Sequence, residues 1–229
     1  MMDSRDFARS KAPSAALPRR SDGERSREAI LRSAVQLVTT IGLKDLSIGT
    51  LAKHTGMSKS GLFGHFGSKE DLELATIETA LGLYTHHVVN PAMAAKPGRE
   101  RLVALADAFL GHVEQRVFPG GCFFAAVAAE LDTRPGRARD RVVEIHTSWM
   151  KLLESCVLDA QHNGEIDPAA DAGQVTFEAD AMLTLGNLGF VMFSDAKTLA
   201  RARRGFLNVL EGVAPNGARA EAEKTGPRM

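Results

Sequence analysis

The chain has 229 residues, 44% of them hydrophobic, with 28 basic and 28 acidic residues that cancel to a net charge of zero. This length and apolar content suit one large or two modest globular domains and exclude a wholly disordered chain. The charges are unevenly distributed, because residues 1–69 contain twelve Lys and Arg against six acidic residues, and the remainder is acidic. A basic N-terminal part favours a nucleic-acid contact at that end only.

Cysteine content and hydropathy predict a soluble, cytoplasmic protein. Cys122 and Cys156 are too far apart for a metal-binding pair and lie in apolar segments, which favours buried, reduced thiols over a redox pair. No apolar run reaches the roughly 18 residues that a membrane span needs, and the N-terminus lacks the apolar core of a signal peptide. We therefore expect no membrane partner, and no motif predicts a metal or a cofactor.

The two ends of the chain differ from its middle. Residues 1–22 are rich in Arg, Ser, Ala and Pro and poor in large apolar groups, which predicts a disordered basic arm. The arm is either a solvated leader or a phosphate-contacting segment through the following bases: Arg5, Arg9, Lys11, Arg19 and Arg20. Residues 214–229 are expected to form a flexible tail.

Three helices are predicted after the arm. Apolar residues at helical spacing indicate an amphipathic first helix that ends at Gly42. Ser47 is placed to cap a second helix, and Ser58 is placed to cap a third. Between them Gly56 can adopt the left-handed conformation that a sharp corner requires. This succession is typical of a helix-turn-helix DNA reader.

The third predicted helix has one apolar and one small, polar face. Leu62, Phe63 and Phe66 are its apolar residues, and packing on the first helix must hold it. Gly61 and Gly64 each cost about 1 kcal/mol of helix propensity relative to Ala. The outward residues are Lys59, Ser60, Gly61, Gly64 and His65. Because most of them are small, they would let the helix backbone approach the major groove closely.

Six further helices are predicted downstream, which gives an all-α chain of about nine helices. Their expected ranges are 68–89, 102–113, 122–131, 137–161, 168–193 and 197–212. The fourth helix would join the three N-terminal helices, the head, to the remaining helices, the body. The almost wholly apolar run 122–131 is expected to be deeply buried. Small residues such as Gly186 and Gly189 would let another helix approach closely.

The run LSIGTLAKHTGMSKSGLFGHFGSKEDL, residues 46–72, resembles the N-terminal domain of the tetracycline-repressor (TetR) family of bacterial transcription regulators. The matching pieces are Ser47-Ile48, Leu51-Ala52, Gly56-Met57-Ser58, Leu62, His65-Phe66 and Ser68-Lys69-Glu70 with Leu72. Their combined order and spacing are specific. The resemblance implies an all-α homodimer with a helix-turn-helix DNA-binding domain at 23–70 and an effector-binding and dimerisation domain at 71–213.

One departure from the family pattern concerns the phosphate contact. The family usually has Tyr where this chain has Phe63, and the Tyr hydroxyl commonly contacts a phosphate. Phe63 would keep the packing and lose the donor, so His65 and Lys69 would contribute more of the contact. The candidate DNA-contacting residues are Thr50, Ser58, Lys59, Ser60, Gly61, Phe63, Gly64, His65 and Lys69.

The resemblance implies a ligand-responsive regulator, most often a repressor. Such a protein binds a palindromic double-stranded DNA operator as a homodimer, pairs its last two helices across a twofold axis, and is released by a small, largely apolar effector. The candidate effector contacts are Phe109, Val113, Cys122, Phe123, His146, Trp149, Met150, Leu153, Phe177 and Met182. Among them His146 and Trp149 would form the polar contacts with the effector.

No catalytic motif is found in the sequence, which has no GxSxG elbow, HExxH or CxxC, and we expect no enzyme. A rival interpretation remains open. Cys122 follows two glycines and could lie at a helix N-terminus, where a thiol becomes more reactive. The chain would then be a ligand-binding or thiol-reactive sensor, or a protein-interaction module without sequence-specific DNA binding.

Overall fold

A computed structural model of the chain describes residues 22–133 and 135–215. The predicted arm, apart from its last residue, and the predicted tail from residue 216 lie outside the described residues. Nine helices without a strand make up the ordered structure of this part, which confirms the all-α fold class. They are α1 (Asp22–Ile41), α2 (Ile48–Thr55), α3 (Lys59–Phe63), α4 (Lys69–Tyr84, continued by Thr85–Val89 and Asn90–Ala92), α5 (Arg99–Glu114), α6 (Phe123–Leu131), α7 (Arg137–His162), α8 (Ala172–Phe193) and α9 (Ala196–Gly212).

Local side-chain caps define the helix-turn-helix, as the sequence predicts. Ser47 Oγ accepts a hydrogen bond from Thr50 N at 3.0 Å, and Ser47 N donates to Thr50 Oγ1 at 2.8 Å. Gly56 ends α2 with a φ of 70°, a conformation that glycine adopts without steric cost. Ser58 Oγ accepts from Gly61 N at 3.2 Å and begins α3. The turn chemistry therefore places α3 directly after α2.

Two helix ends differ from the predicted ones. α4 continues past Pro91 to Ala92, because a π-helical turn over Thr85–Val89 resets the hydrogen-bond register just before the proline. α8 begins at Ala172 rather than near residue 168. Its start is fixed by Asp171, whose carboxylate accepts a hydrogen bond from Gln174 N at 3.1 Å.

The chain divides into two compact units. The first comprises the described residues up to His86 together with His112–Ser148. The second comprises His87–Gly111 and the described residues from Trp149 onward. The first unit thus contains α1, α2, α3, α6 and most of α4. α5 and α7 each contribute residues to both units.

In the first unit, hydrogen bonds fasten α1 to the loop between α5 and α6. Gln36 Nε2 donates to Val117 O at 2.8 Å, and Gly120 N donates to Thr39 Oγ1 at 3.2 Å. A Cβ atom on Gly120 would lie 1.8 Å from Thr39 O, so only glycine permits this approach. The loop before α6 is therefore held against the end of α1.

The α1–α2 loop is also held by α6. Glu130 Oε2 accepts from Leu43 N and Glu130 Oε1 accepts from Lys44 N, both at 2.6 Å. The expectation that 122–131 is deeply buried is wrong for half of its surface. Phe123 is fully buried, whereas the face that carries Glu130 is partly exposed. The helix uses one face for the core and the other to bind the loop backbone.

In the second unit, α8 and α9 pack with their backbones close together. A Cβ atom on Gly186 would lie 2.5 Å from Ala202 Cβ, and one on Gly189 would lie 2.6 Å from Thr198 Cγ2. Contacts below 3.0 Å do not occur between real Cβ atoms and their neighbours. The predicted role of these small residues is confirmed, and the helix that they admit is α9 of the same chain.

Candidate nucleic-acid interface and effector site

A groove of about 340 Å³ lies on the first unit between α2, α3 and the start of α4. It is lined by Ser47, Ile48, Gly49, Lys59, Phe63, Phe66, Ser68 and Lys69. Ser47 and Ser68 are the N-caps of α2 and α4, so two helix N-termini border the groove beside two lysine side chains. Helix N-termini and lysines both favour anions, and this arrangement suits a nucleic-acid backbone.

Phe63 lies at the surface beside this groove. Its side chain is 63% exposed, so the prediction that Phe63 packs inward is wrong. Neighbouring helix positions point about 100° apart, and the inward position is taken by Leu62, which is fully buried. Phe66, beyond the end of α3, completes the packing at 4% exposure, with the Arg27 guanidinium 5.3 Å from its ring centroid. Five helical residues leave no second inward position for Phe63.

The other candidate DNA contacts lie on the same outer surface. Exposed side chains or backbone are found at Thr50, Ser58, Lys59, Ser60, Gly61, Gly64 and Lys69, and His65 is half-buried. The Thr50 hydroxyl is already part of the α2 capping box, where it accepts from Ser47 N and donates to Asp45 O at 3.0 Å. Contact with DNA stays a prediction for each of these residues.

Lys69 ties the start of α4 to the α1–α2 loop. Its Nζ donates to Lys44 O at 2.5 Å and lies 3.6 Å from Glu73 Oε1. Burial raises the pKa of Glu73 above its ordinary value, and the Lys69 ammonium opposes that shift. An ammonium has three N–H donors, and the Lys69 side chain is 51% exposed. A phosphate can therefore bind it in addition to these partners.

In the second unit, three helices bring an aromatic pair and a carboxylate together. The rings of Phe109 on α5 and Trp149 on α7 stack with centroids 6.4 Å apart and planes 29° from parallel. Trp149 Nε1 donates to Asp180 Oδ1 on α8 at 2.7 Å. The sequence interpretation missed Asp180. The signal that could have found it was an acidic residue in the middle of a largely apolar helix.

The remaining candidate effector contacts divide between the two units. In the second unit Leu153 is buried and Met150 and Met182 are half-buried; in the first unit Val113, Cys122 and Phe123 are buried. The placement of His146 and Phe177 inside a pocket needs correction, because both are exposed in the single chain. Phe177 lies on the face of α8 opposite the one that packs on α9, and His146 turns about 100° away from the buried Ile145.

Aromatic side chains surround the start of α6 in the first unit. The His112 and Phe118 rings meet edge to face at 4.8 Å, and Tyr84 and Phe124 do so at 5.7 Å. Cys122, which precedes α6, is 4% exposed. This burial limits the access of a reagent to the thiol that the rival interpretation invokes.

The second cysteine is also chemically shielded, because burial raises the pKa of the Cys156 thiol to about 11. Neither cysteine forms a disulfide. Among the described residues, no group of three or more His, Cys, Asp or Glu side chains is placed to hold a metal ion. Within the same ranges, the helices lack the combination of length and hydropathy that a bilayer crossing requires.

Comparisons with known proteins match both parts of the chain. Residues 30–76 match the family described as "Bacterial regulatory proteins, tetR family". Residues 98–206 match "Tetracyclin repressor-like, C-terminal domain". The HTH-type transcriptional regulator BetI of Rhizobium meliloti (strain 1021) is 33% identical over 79 residues, which are 34% of this chain and 39% of that protein. The alignment thus spans about two fifths of the curated relative's length.

Solved structures share the fold over most of the chain. A TetR transcriptional regulator from Chloroflexus aurantiacus J-10-FL is 24% identical with a TM-score of 0.74, covering 82% of this chain and 94% of that one. AibR, solved in complex with isovaleryl coenzyme A and operator DNA, is 21% identical with a TM-score of 0.63, covering 78% and 94%. At these identities the structures show the fold alone. The N-terminal and C-terminal family models match the helices described above in the order in which these follow along the chain. The chain therefore belongs to the TetR family of bacterial transcription regulators.

Proposed function

We propose that the protein is a homodimeric repressor that binds a palindromic operator and releases it when a small, largely apolar effector binds the body. The observation that carries the DNA-binding part is the groove on the first unit. There the N-termini of α2 and α4 and the side chains of Lys59 and Lys69 lie beside the exposed face of α3. Phosphate contacts of this kind position a recognition helix on the duplex, and side chains that reach base edges read the sequence.

The exposed face of α3 is open enough for close approach to DNA. A Cβ atom on Gly64 would meet only Gly61 O, at 3.7 Å, and one on Gly61 would meet only Ser58 Oγ, at 3.2 Å. Gly64 is not needed to relieve crowding inside the unit, whereas a Cβ atom on Gly61 would press on the Ser58 hydroxyl that caps α3. The value of Gly64 therefore lies on the outer side, where a missing Cβ lets the helix backbone approach base edges.

An exposed apolar face on α8 supports the homodimer. Its members are between 52% and 65% exposed: Phe177, Leu185, Leu188 and Met192. Exposed apolar patches of this kind mark interaction surfaces. A second copy of the chain is the partner that DNA reading requires, because a single short recognition helix reads too few base pairs for useful specificity.

Signal transfer to the head would use the polar contacts of the first unit. Arg137 Nη1 lies 3.1 Å from Glu70 Oε2, and Arg141 forms a two-point contact with Glu78 at 2.5 and 3.1 Å. These pairs link α7, which also contributes residues to the second unit, to α4. An effector that moves α7 would therefore shift α4 and displace the two recognition helices from the roughly 34–36 Å repeat of the major groove.

The proposal is tested by fluorescence anisotropy with labelled DNA from the region upstream of the protein's own gene. We expect specific binding that weakens steeply with salt, as phosphate contacts require. Lys59→Ala should weaken binding and lower the salt slope by about one, whereas Lys96→Ala, an exposed lysine of the second unit, should not. Absence of specific binding at every salt concentration, or a Lys59→Ala variant equal to wild type, would contradict the proposal.

The salt dependence of binding also distinguishes the rival function from the proposed one. A head that docks a protein need not lose affinity for its partner as salt rises, whereas a phosphate-binding head must. A thiol-reactive sensor would require Cys122, which is buried. An unchanged effector response in Cys122→Ser would contradict the thiol-reactive sensor.

A further inference from the structure

We propose that the effector carries a positive charge and that Phe109, Trp149 and Asp180 in the second unit bind it as a small organic cation. The inference rests on the proposed function for its regulatory meaning. It names the chemical class of the effector, a molecule with an apolar part and one cationic amine or ammonium group. Three independent observations support it: a carboxylate without a cationic partner, a buried aromatic pair, and a buried hydroxyl without a hydrogen bond.

The carboxylate is the first of these observations. Asp180 is half-buried on α8, a helix whose only other charged residue is Glu178. One oxygen of Asp180 accepts from the Trp149 indole N–H, which is a neutral donor. None of the ion pairs in the described ranges involves Asp180. A carboxylate drawn partly out of water without a counter-charge is unfavourable unless a cation binds beside it.

The aromatic pair supplies the second observation. Phe109 and Trp149 are 5% and 6% exposed, and their rings stack. Aromatic faces attract cations through the ring quadrupole, and Trp does so most strongly. The Trp149 indole therefore donates its N–H to Asp180 and also has a ring face that attracts cations. Carboxylate and aromatic surface together select a cation over a neutral molecule of the same shape.

The third observation is a hydroxyl one helical turn before Asp180. Thr176 is 2% exposed, and its Oγ1 has no hydrogen-bond partner among the described residues. Residues four apart lie on the same side of a helix, so Thr176 and Asp180 share one side of α8. Buried hydroxyls in native proteins are almost always hydrogen-bonded. An amine N–H of a bound ligand would satisfy this oxygen.

The test uses Trp149 as its own reporter, because it is the only tryptophan of the chain. The probes are benzylamine, a cation at pH 7, and benzyl alcohol, a neutral molecule of nearly the same shape, titrated at constant ionic strength. We expect benzylamine to change the Trp149 emission with a Kd at least about tenfold lower than that of benzyl alcohol. Equal affinities, or no change of emission with either probe, would overturn the inference.

Two variants assign the preference to Asp180. Asp180→Asn keeps an oxygen that can accept from Trp149 Nε1 and removes the charge, so the preference should fall to within about twofold. Glu178→Gln removes the same charge from the same helix at a residue that accepts a hydrogen bond from Gln174 rather than from Trp149, and the preference should persist. A preference that survives Asp180→Asn, or that is lost equally in both variants, would contradict the assignment.

The hydroxyl has its own variant, Thr176→Val. If Thr176 Oγ1 binds the ligand, benzylamine affinity should fall severalfold while the melting temperature stays unchanged or rises, since a buried unsatisfied hydroxyl is replaced by a methyl group. An unchanged affinity would contradict the role of this hydroxyl in the site.

Failure of this inference and failure of the proposed function are distinguishable, because the fluorescence titration contains no DNA. A protein that prefers benzylamine but binds no DNA specifically would contradict the proposed function and leave the cation site standing. A protein that binds its operator but shows no preference for the amine would contradict the cation site alone.

Discussion

The α1–α2 loop of the first unit and the α8–α9 pair of the second unit are stabilised by different kinds of contact. In the first unit, side chains bind backbone groups far away in the sequence, as Gln36 does with Val117 and Glu130 with the α1–α2 loop. In the second unit, α8 and α9 approach so closely at Gly186 and Gly189 that neither position has room for a Cβ atom.

This difference indicates which of the two regions can adjust during regulation. Partly exposed hydrogen bonds each contribute only about 1 kcal/mol, so a bound ligand or DNA can exchange them for others. Close-packed backbones have no such freedom, because any relative shift opens voids or creates clashes. We therefore expect the α1–α2 loop to be the adjustable part of the molecule and the α8–α9 pair to be the fixed part.

The largest expected effect tests the fixed part. Gly186→Ala places a methyl group 2.5 Å from Ala202 Cβ and should lower the free energy of unfolding by about 2 kcal/mol through overpacking. Gly82→Ala is the matched control, since a Cβ atom there meets nothing within 4 Å on helix α4. It should raise stability by about 0.5–1 kcal/mol. Urea unfolding measures both, and a Gly186→Ala variant as stable as wild type would remove the contrast between the α1–α2 loop and the α8–α9 pair.

The next effect concerns the adjustable part. Glu130→Gln weakens the two hydrogen bonds that Leu43 N and Lys44 N donate to the carboxylate, and should cost about 1.5 kcal/mol of unfolding free energy. It should also weaken DNA binding, because the loop precedes α2. Glu114→Gln, an exposed acid of the same unit, should change stability by less than about 0.5 kcal/mol. Equal effects of the two variants would mean that the Glu130 contact has no special role.

A smaller effect is expected at the groove. Phe63→Tyr adds a hydroxyl to a ring that is 63% exposed and should strengthen operator binding by about 1 kcal/mol, roughly fivefold, through one new phosphate hydrogen bond. Phe63→Ala should change the unfolding free energy by less than about 0.5 kcal/mol, as befits a surface residue. A large loss of stability in Phe63→Ala would show that the ring packs inward after all.

The smallest effect is a pH dependence in the second unit. Burial raises the pKa of the Cys156 thiol from 9.0 to about 11. Between these values the unfolded chain loses the proton and the folded chain retains it, so the contribution to stability is lost as pH rises. At pH 9 this amounts to about 0.5 kcal/mol relative to pH 7. Wild type should therefore lose more stability than Cys156→Ala between pH 7 and 9, and parallel profiles would contradict the shift.

The sequence predicted those features that depend on residues near one another in the chain. Ser47, Gly56 and Ser58 each act on a backbone group within a few positions, so their cap and turn roles follow from local chemistry. Partners separated by 31 residues, such as Trp149 and Asp180, carry no local signal.

The two wrong predictions of burial, for Phe63 and for residues 122–131, also concern contacts that local sequence does not determine. Apolarity alone placed Phe63 and residues 122–131 inside, although burial depends on how many inward positions a short helix offers and on what lies beside it. Neither quantity can be read from one sequence. The DNA contacts and the effector contacts remain predictions for the same reason, since each depends on a partner outside the chain.

The most direct test of the central claim is hydroxyl-radical footprinting of the protein on its operator. A homodimer that reads DNA through α3 should protect two patches related by a twofold axis and separated by a whole number of helical turns, and Leu185→Glu combined with Leu188→Glu on the exposed face of α8 should abolish the paired protection. A single protected patch in the wild type, or paired protection that survives the double substitution, would contradict the account.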